Sequence, residues 1–202
     1  MAPFAVRGHR RPPAEIAVLR GGHGTRLAEL INDVGMTLTE QLLSELDREA
    51  TRTKRVLEQV PASRDDWKPH DKSMALGRLA GMIATMPSWV TFIVKQDELD
   101  LTPPGGGEWK LPTQKELVAA HDKSVADARA ALQATNDSVL LTTNWKLRAG
   151  GQVVSDAPRH IALRDMLNHL AHHRGQLTVY LRLLGAKVPA VYGPSADDQS
   201  FA

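Results

Sequence analysis

Between Thr37 and Val60 one stripe of residues returns every three or four positions, through Leu38, Leu42, Leu46, Ala50, Thr53, Leu57 and Val60. That period belongs to a helix with one buried face, and such a face must be covered by other elements. Thr37 with Glu40 three positions later has the form of a capping box, so the helix starts there and ends near Pro61. The pattern then recurs. Ser73 is placed to cap a second helix carrying Leu76, Leu79, Ala80 and Ile83, bent at Pro87 and continuing into "WVTFIV". Thr113 with Glu116 forms another capping box, opening a third helix with Leu117, Ala120, Ser124, Ala128 and Leu132 on one side. A fourth begins after Pro158, turns Met166, His169, His173, Leu177, Tyr180 and Leu184 inward, and stops at Gly185. Before it, "WKLRAGGQVV" alternates about Ala149-Gly150-Gly151, as a short hairpin does. The predicted fold is all-α, a four-helix bundle with a small β-hairpin between helices three and four, in which sites are built from facing helices.

Residues 1–35 lack sustained periodicity and break at Pro12-Pro13 and Gly21-Gly22. They are expected to be a poorly structured extension ahead of a bundle spanning 36–202, with Met36 as a possible start, and they lack the features of a signal peptide. Their "GGHG", at 21–24, follows no convincing strand and so is not read as a phosphate loop.

The sequence pI of 9.0 raises the question of nucleic acid. Residues 1–35 hold five arginines against three carboxylates; of 25 basic and 23 acidic residues, that leaves 20 of each in the rest of the chain. No domain-wide basic field tracks a phosphate backbone, and aromatics are too few for a base-stacking surface, so nucleic acid is not an expected partner. No apolar run approaches the ~18 residues that cross a membrane. A cytoplasmic location is expected. With no cysteine in the chain, thiolate ligands and cysteine nucleophiles are excluded, and a metal must rely on His, carboxylate, Met or water.

The fourth helix carries "LNHLAHHRGQL", with His169, His172 and His173 inside five positions. His169 and His173, four apart, project from one helix face with Cβ atoms about 5 to 6 Å apart and can share one ion, whereas His172 points about 100° away. An inward imidazole without a partner is costly, which favours a ligand role over mere packing. Arg174 reads either as a binder of substrate carboxylate or as a solvated helix arginine. His70 and Lys72 in "PHDKSM" read as the mouth of a cavity or as an ordinary turn, and Tyr192 with "GPSADD" as a segment folding over the bundle end or as a plain turn. Trp67, Trp89, Trp109 and Trp145 read as packing residues at element ends. No Ser-His-Asp set is visible.

From Met36 to about Asp198 the chain resembles the DinB family of four-helix metalloproteins, through "WKPHDKSM", "LGRLAGMIATMPSW", "PRHIALRDMLNHLAHHRGQLTVYLRLLGAKVP" and "VYGPSADD". The resemblance implies a divalent metal, Zn²⁺ or Ni²⁺, held by one His of the second helix and an HxxxH pair of the fourth, here His169 and His173. It further implies an open coordination position for water or a small thiol, a thiol-transfer, isomerisation or hydrolysis reaction on a small-molecule substrate, and a homodimer.

Where the family pattern has "LAGH", this chain has "LAGM", so Met82 stands at the first-ligand position. Four readings follow: apolar filling with the metal lost; a weaker ion on two His plus water; a His-His-Met set suited to Cu(I); or replacement by His121 from the third helix, whose alternative is a partly exposed edge position. His70 lies about 18 Å from Met82, and His160 about 13 Å from His169, at helical rise. The competing function is a metal-free, non-catalytic dimeric binding or stress-response relative.

Overall fold

The computed structural model describes residues 35–101 and 113–200. The expected extension at 1–35, its "GGHG", and Trp109 therefore fall almost wholly outside the described residues. Among those described, the chain is mostly helical, with six helices and one small sheet: α1 (Leu38–Leu57), α2 (Leu76–Thr85), α3 (Ser88–Lys95), β1 (Glu98–Asp100), α4 (Gln114–Gln133), α5 (Asp137–Thr142), β2 (Asn144–Ala149), β3 (Gln152–Pro158) and α6 (Arg159–Leu183).

Local chemistry sets most boundaries. Thr37 and Thr113 each accept from the backbone N–H of Glu40 and Glu116, whose carboxylates accept in return from the capping residue, so both capping boxes form. Asp137, at the start of α5, accepts from the backbone N–H of Leu38 (2.9 Å) and Thr39 (3.0 Å), giving α1 a second, long-range cap. The expected cap of the second helix is different. Ala75, which has no side-chain oxygen, is the N-cap of α2, while the Ser73 N–H donates to the His70 carbonyl within the preceding turn. Pro87 divides the expected bent helix into α2 and α3, because its ring supplies no N–H to continue the ladder.

The short α5 begins at Asn136, whose side chain accepts from the Val139 N–H at 3.1 Å. β2 and β3 are antiparallel about Gly150 and Gly151, both at positive φ (58° and 77°), where residues with a Cβ are strained. β1 adds to β2 in parallel, so the sheet has order β1-β2-β3. At the end of α6, Gly185 takes φ 71° and the Ala186 N–H reaches back to the Leu181 carbonyl at 3.0 Å, which satisfies a terminal acceptor.

The core is shared by Leu42, Leu46 and Leu57 of α1, Leu79 and Ile83 of α2, Leu117 and Leu132 of α4, and Leu163, Leu170 and Leu177 of α6. Helix α4 packs on α1, α2 and α3, and α6 packs on α1, α2 and α3 from its own side. The long α6 is thereby held along its length, and the histidines of the HxxxH pair ride on it.

Candidate metal centre

On α6 the buried positions are Arg159, Leu163, Met166, Leu167, Leu170, Arg174, Leu177, Tyr180 and Leu181. Met166, Leu177 and Tyr180 are buried as expected, whereas the expected inward positions 169, 173 and 184 are not. His169 is exposed and His173 half-buried, so the pair sits at the edge of the packed face rather than at its centre. The reason is Arg174, which takes the core position next to them, 1% exposed.

Arg174 is neither solvated nor free to receive a substrate carboxylate. Its guanidinium donates to Glu49 Oε2 (2.6 Å), the Glu49 carbonyl (3.2 Å) and Thr53 Oγ1 (3.1 Å) on α1, and also bonds the Tyr192 hydroxyl. Tyr192 donates to the same Glu49 oxygen at 2.8 Å, and Arg52 binds the other at 2.7 Å. Burial disfavours the Glu49 carboxylate, but the Tyr192 hydrogen bond, the Arg174 charge and the donations from Arg174 and Arg52 prevail and hold its carboxyl below the ordinary value near 4.5. The carboxylate that Arg174 binds is the protein's own.

Within the histidine cluster the polar contacts form a chain. His169 Nε2 and His173 Nε2 are 2.7 Å apart, and their ring centroids 4.5 Å. The other nitrogen of His173, Nδ1, lies 2.8 Å from Gln176 Oε1, an atom that only accepts. His173 therefore carries its proton on Nδ1 and presents a bare Nε2 lone pair, toward which His169 Nε2–H donates. The Gln176 amide nitrogen then donates to His172 Nε2 at 3.0 Å. The His169 imidazole is pushed below its ordinary value near 6.5 by desolvation first and by the neighbouring His173 and His172 second. Gln176, three positions after His173, is a further functional candidate, not of ligand type, whose signal in the sequence is its i, i+3 spacing from a ligand-type His.

Two imidazole nitrogens on one tetrahedral Zn²⁺, with bonds of about 2.0–2.1 Å, stand about 3.3 Å apart. The pair fits a shared ion after a small opening of the two rings and transfer of the His169 proton from Nε2 to Nδ1. A third strong ligand is not at hand: among the described residues no three His, Cys, Asp or Glu side chains are grouped to hold a metal. Met82 is half-buried and packs against the apolar core.

His121 is 1% exposed on α4, so it is not the partly exposed edge residue expected, and its Nε2 meets the Ala50 carbonyl at 3.0 Å. With Nε2 committed to α1, and no group of three ligand-type side chains containing it among the described residues, it does not complete the site. His160 Nδ1 lies 3.2 Å from the Leu140 carbonyl. His70 Nδ1 accepts from the Lys72 N–H at 3.1 Å, and Lys68 reaches the Asp71 carbonyl, so "PHDKSM" is a turn held by its own backbone. Trp67 meets Tyr180 edge-on at 5.4 Å, and Trp89 lies 6.4 Å from Trp145.

A family model described as the DinB family matches residues 34–200. The chain is 25% identical over 161 residues, 79% of its own length and 90% of the relative's, to YrdA, an uncharacterised protein of Bacillus subtilis (strain 168). A DinB-like protein from Bacillus cereus ATCC 10987 superposes with a TM-score of 0.59 at 26% identity, covering 76% of this chain and 97% of that one. A second DinB-like structure, YjoA of Bacillus subtilis, aligns at a TM-score of 0.54 and 19% identity over 72% of this chain and 92% of its own, a likeness of fold alone.

Proposed function

Because the chain belongs to the DinB family, we propose that it is a four-helix-bundle metalloprotein of DinB type, formed by the 36–200 region, that holds one divalent cation, Zn²⁺ or Ni²⁺, on His169 and His173 with solvent or a small thiol filling the remaining positions. The observation that carries this reading is the convergence of the two Nε2 atoms at 2.7 Å, with Gln176 favouring the His173 tautomer whose Nε2 is unprotonated. A divalent ion at this edge supplies Lewis acidity, lowering the pKa of a water or thiol to give a nucleophile near neutral pH. The chain's own side chains do the rest. Gln176 orients His173, the core position of Arg174 sets the rotation of α6, and the exposed edge of His169 leaves the pair open to a small substrate. Thiol transfer, isomerisation or hydrolysis is the reaction class, and a homodimer the working assembly.

The second reading, a metal-free relative that binds without catalysis, is favoured by Met82 and by the lack of a third grouped ligand among the described residues. Calorimetric titration of tag-free protein with Zn²⁺ and Ni²⁺ separates the two. His169→Ala and His173→Ala are expected to abolish the binding and His172→Ala to leave it intact. Absence of saturable binding in the parent would establish the metal-free reading.

A further inference from the structure

A cavity of about 240 Å³ opens beside His169, where α3, the sheet and α6 meet. Its inner lining is apolar: Ile93 is 1% exposed, Trp145 and Met166 4% each, and Trp89 completes the wall. The exposed polar residues Ser155, Asp165 and His169 lie at its rim, while the Trp145 indole N–H is a buried donor without a partner among the described residues. Apolar cavities of ~150 Å³ accept benzene, so this one has room for a single ring with a short substituent. The two tryptophan rings, tilted 59° to one another with centroids 6.4 Å apart, offer faces and edges to an aromatic guest.

Asp165 decides the chemistry of the guest. It has no ion-pair or hydrogen-bond partner among the described residues, and a carboxylate only accepts hydrogen bonds. A guest carboxylate or phosphate would meet like charge at the rim, whereas a hydroxyl or N–H would find an acceptor that no other described protein group occupies.

We propose that this cavity binds a small, uncharged, planar aromatic molecule bearing a hydrogen-bond donor, with the ring against Trp89 and Trp145 and the donor on Asp165. The site adjoins the histidine pair, so the inference names a substrate class for the function proposed above; binding itself requires no metal, and the two readings fail separately.

The test is calorimetric titration of the full chain with 4-ethylphenol, 4-ethylanisole and 4-ethylbenzoate, once in chelator and once with Zn²⁺. The phenol is expected to bind in both conditions, about tenfold more tightly than the anisole, which lacks the donor, and the benzoate more weakly still. Asp165→Ala, at an exposed position outside the packed core, should bring the phenol down to the anisole and leave the anisole unchanged. Ala162→Phe, which fills the cavity from α6, should remove binding of all three while the melting curve shows a folded protein. Equal affinity for phenol and benzoate, an unchanged phenol affinity in Asp165→Ala, or no saturable phenol binding to the parent would overturn the proposal. Phenol binding without any metal binding would leave this inference standing and remove the metal reading.

Discussion

Arg174 shows most directly how one side chain sets the candidate site. A guanidinium at a core position is tolerated only because Glu49, Thr53 and Tyr192 satisfy it, and removing one partner of such a buried pair typically costs about 3–5 kcal/mol. Arg174→Ala is expected to lower stability by that order in chemical denaturation, with Glu49→Ala close behind. The two losses should be strongly non-additive in a double-mutant cycle, since they share one interaction. The Glu49 carboxyl is held below 4.5 in the fold, so the unfolded chain binds more protons in the window beneath that value. The stabilisation is full above about pH 4.5 and is lost as pH falls through the lower folded value; in Glu49→Gln this part of the acid limb should flatten. Gln176 carries a third expectation at this scale. Gln176→Ala releases His173 to either tautomer and should weaken Zn²⁺ affinity by about tenfold, the low end for loss of an orienting partner, with no comparable change in melting temperature without metal. Sequence reading found the histidine pair by spacing, but not the inward Arg174. Its partners lie 121 and 125 positions away on α1, and nothing local distinguishes it from a solvated arginine.

At the scale of elements, what was legible had a local cause. Both threonine capping boxes and the stop at Gly185 stand where the sequence placed them, because cap, first turn and terminal glycine are neighbours in the chain. The short α5 and the three-residue β1 were not foreseen. Six residues give too little periodicity to read, and β1 exists through parallel pairing with β2, whose partners start 48 positions later, at Glu98 with Lys146. The expected inward face of the last helix holds at Met166, Leu177 and Tyr180 but not at the histidines, for a related reason: a 3.6-residue period identifies a stripe but cannot show that an arginine belongs in it. The relation between α2 and α6, which pack together, bears on Met82. In the proposed site Met82→His adds an imidazole from α2 to the α6 pair and should tighten Zn²⁺ or Ni²⁺ binding well beyond the parent in calorimetry, with affinity falling on acidification as the rings protonate. Equal affinity in parent and variant would show that α2 does not bring this position to the pair.

At the scale of the folded unit, the last described residues tie α1 to α6. Asp198 accepts from the Ala190 N–H (3.0 Å) and pairs with Arg55 of α1, Asp197 accepts from the Val188 N–H (2.9 Å) and pairs with Arg182 of α6, and Tyr192 enters the Glu49–Arg174 pair. This places "VYGPSADD" against the helices by named bonds rather than as a plain turn. Backbone donors from Ala190 and Ser200 hold the Asp198 carboxyl at about 2 against an ordinary 3.8, so its anchoring is complete above about pH 3.8 and lost only as pH falls through about 2. Amide exchange of residues 188–200 should stay slow at pH 4 in the parent and quicken there in Asp198→Asn. No helix among the described residues is long and apolar enough to cross a membrane. The central claim, that His169 and His173 hold a divalent ion despite Met82, is tested most directly by the metal content of protein purified without a polyhistidine tag. The account predicts about one Zn²⁺ or Ni²⁺ per chain after equilibration with either ion, falling to background in His173→Ala; parent protein that stays at background, or a His173→Ala variant that retains the metal, would contradict it.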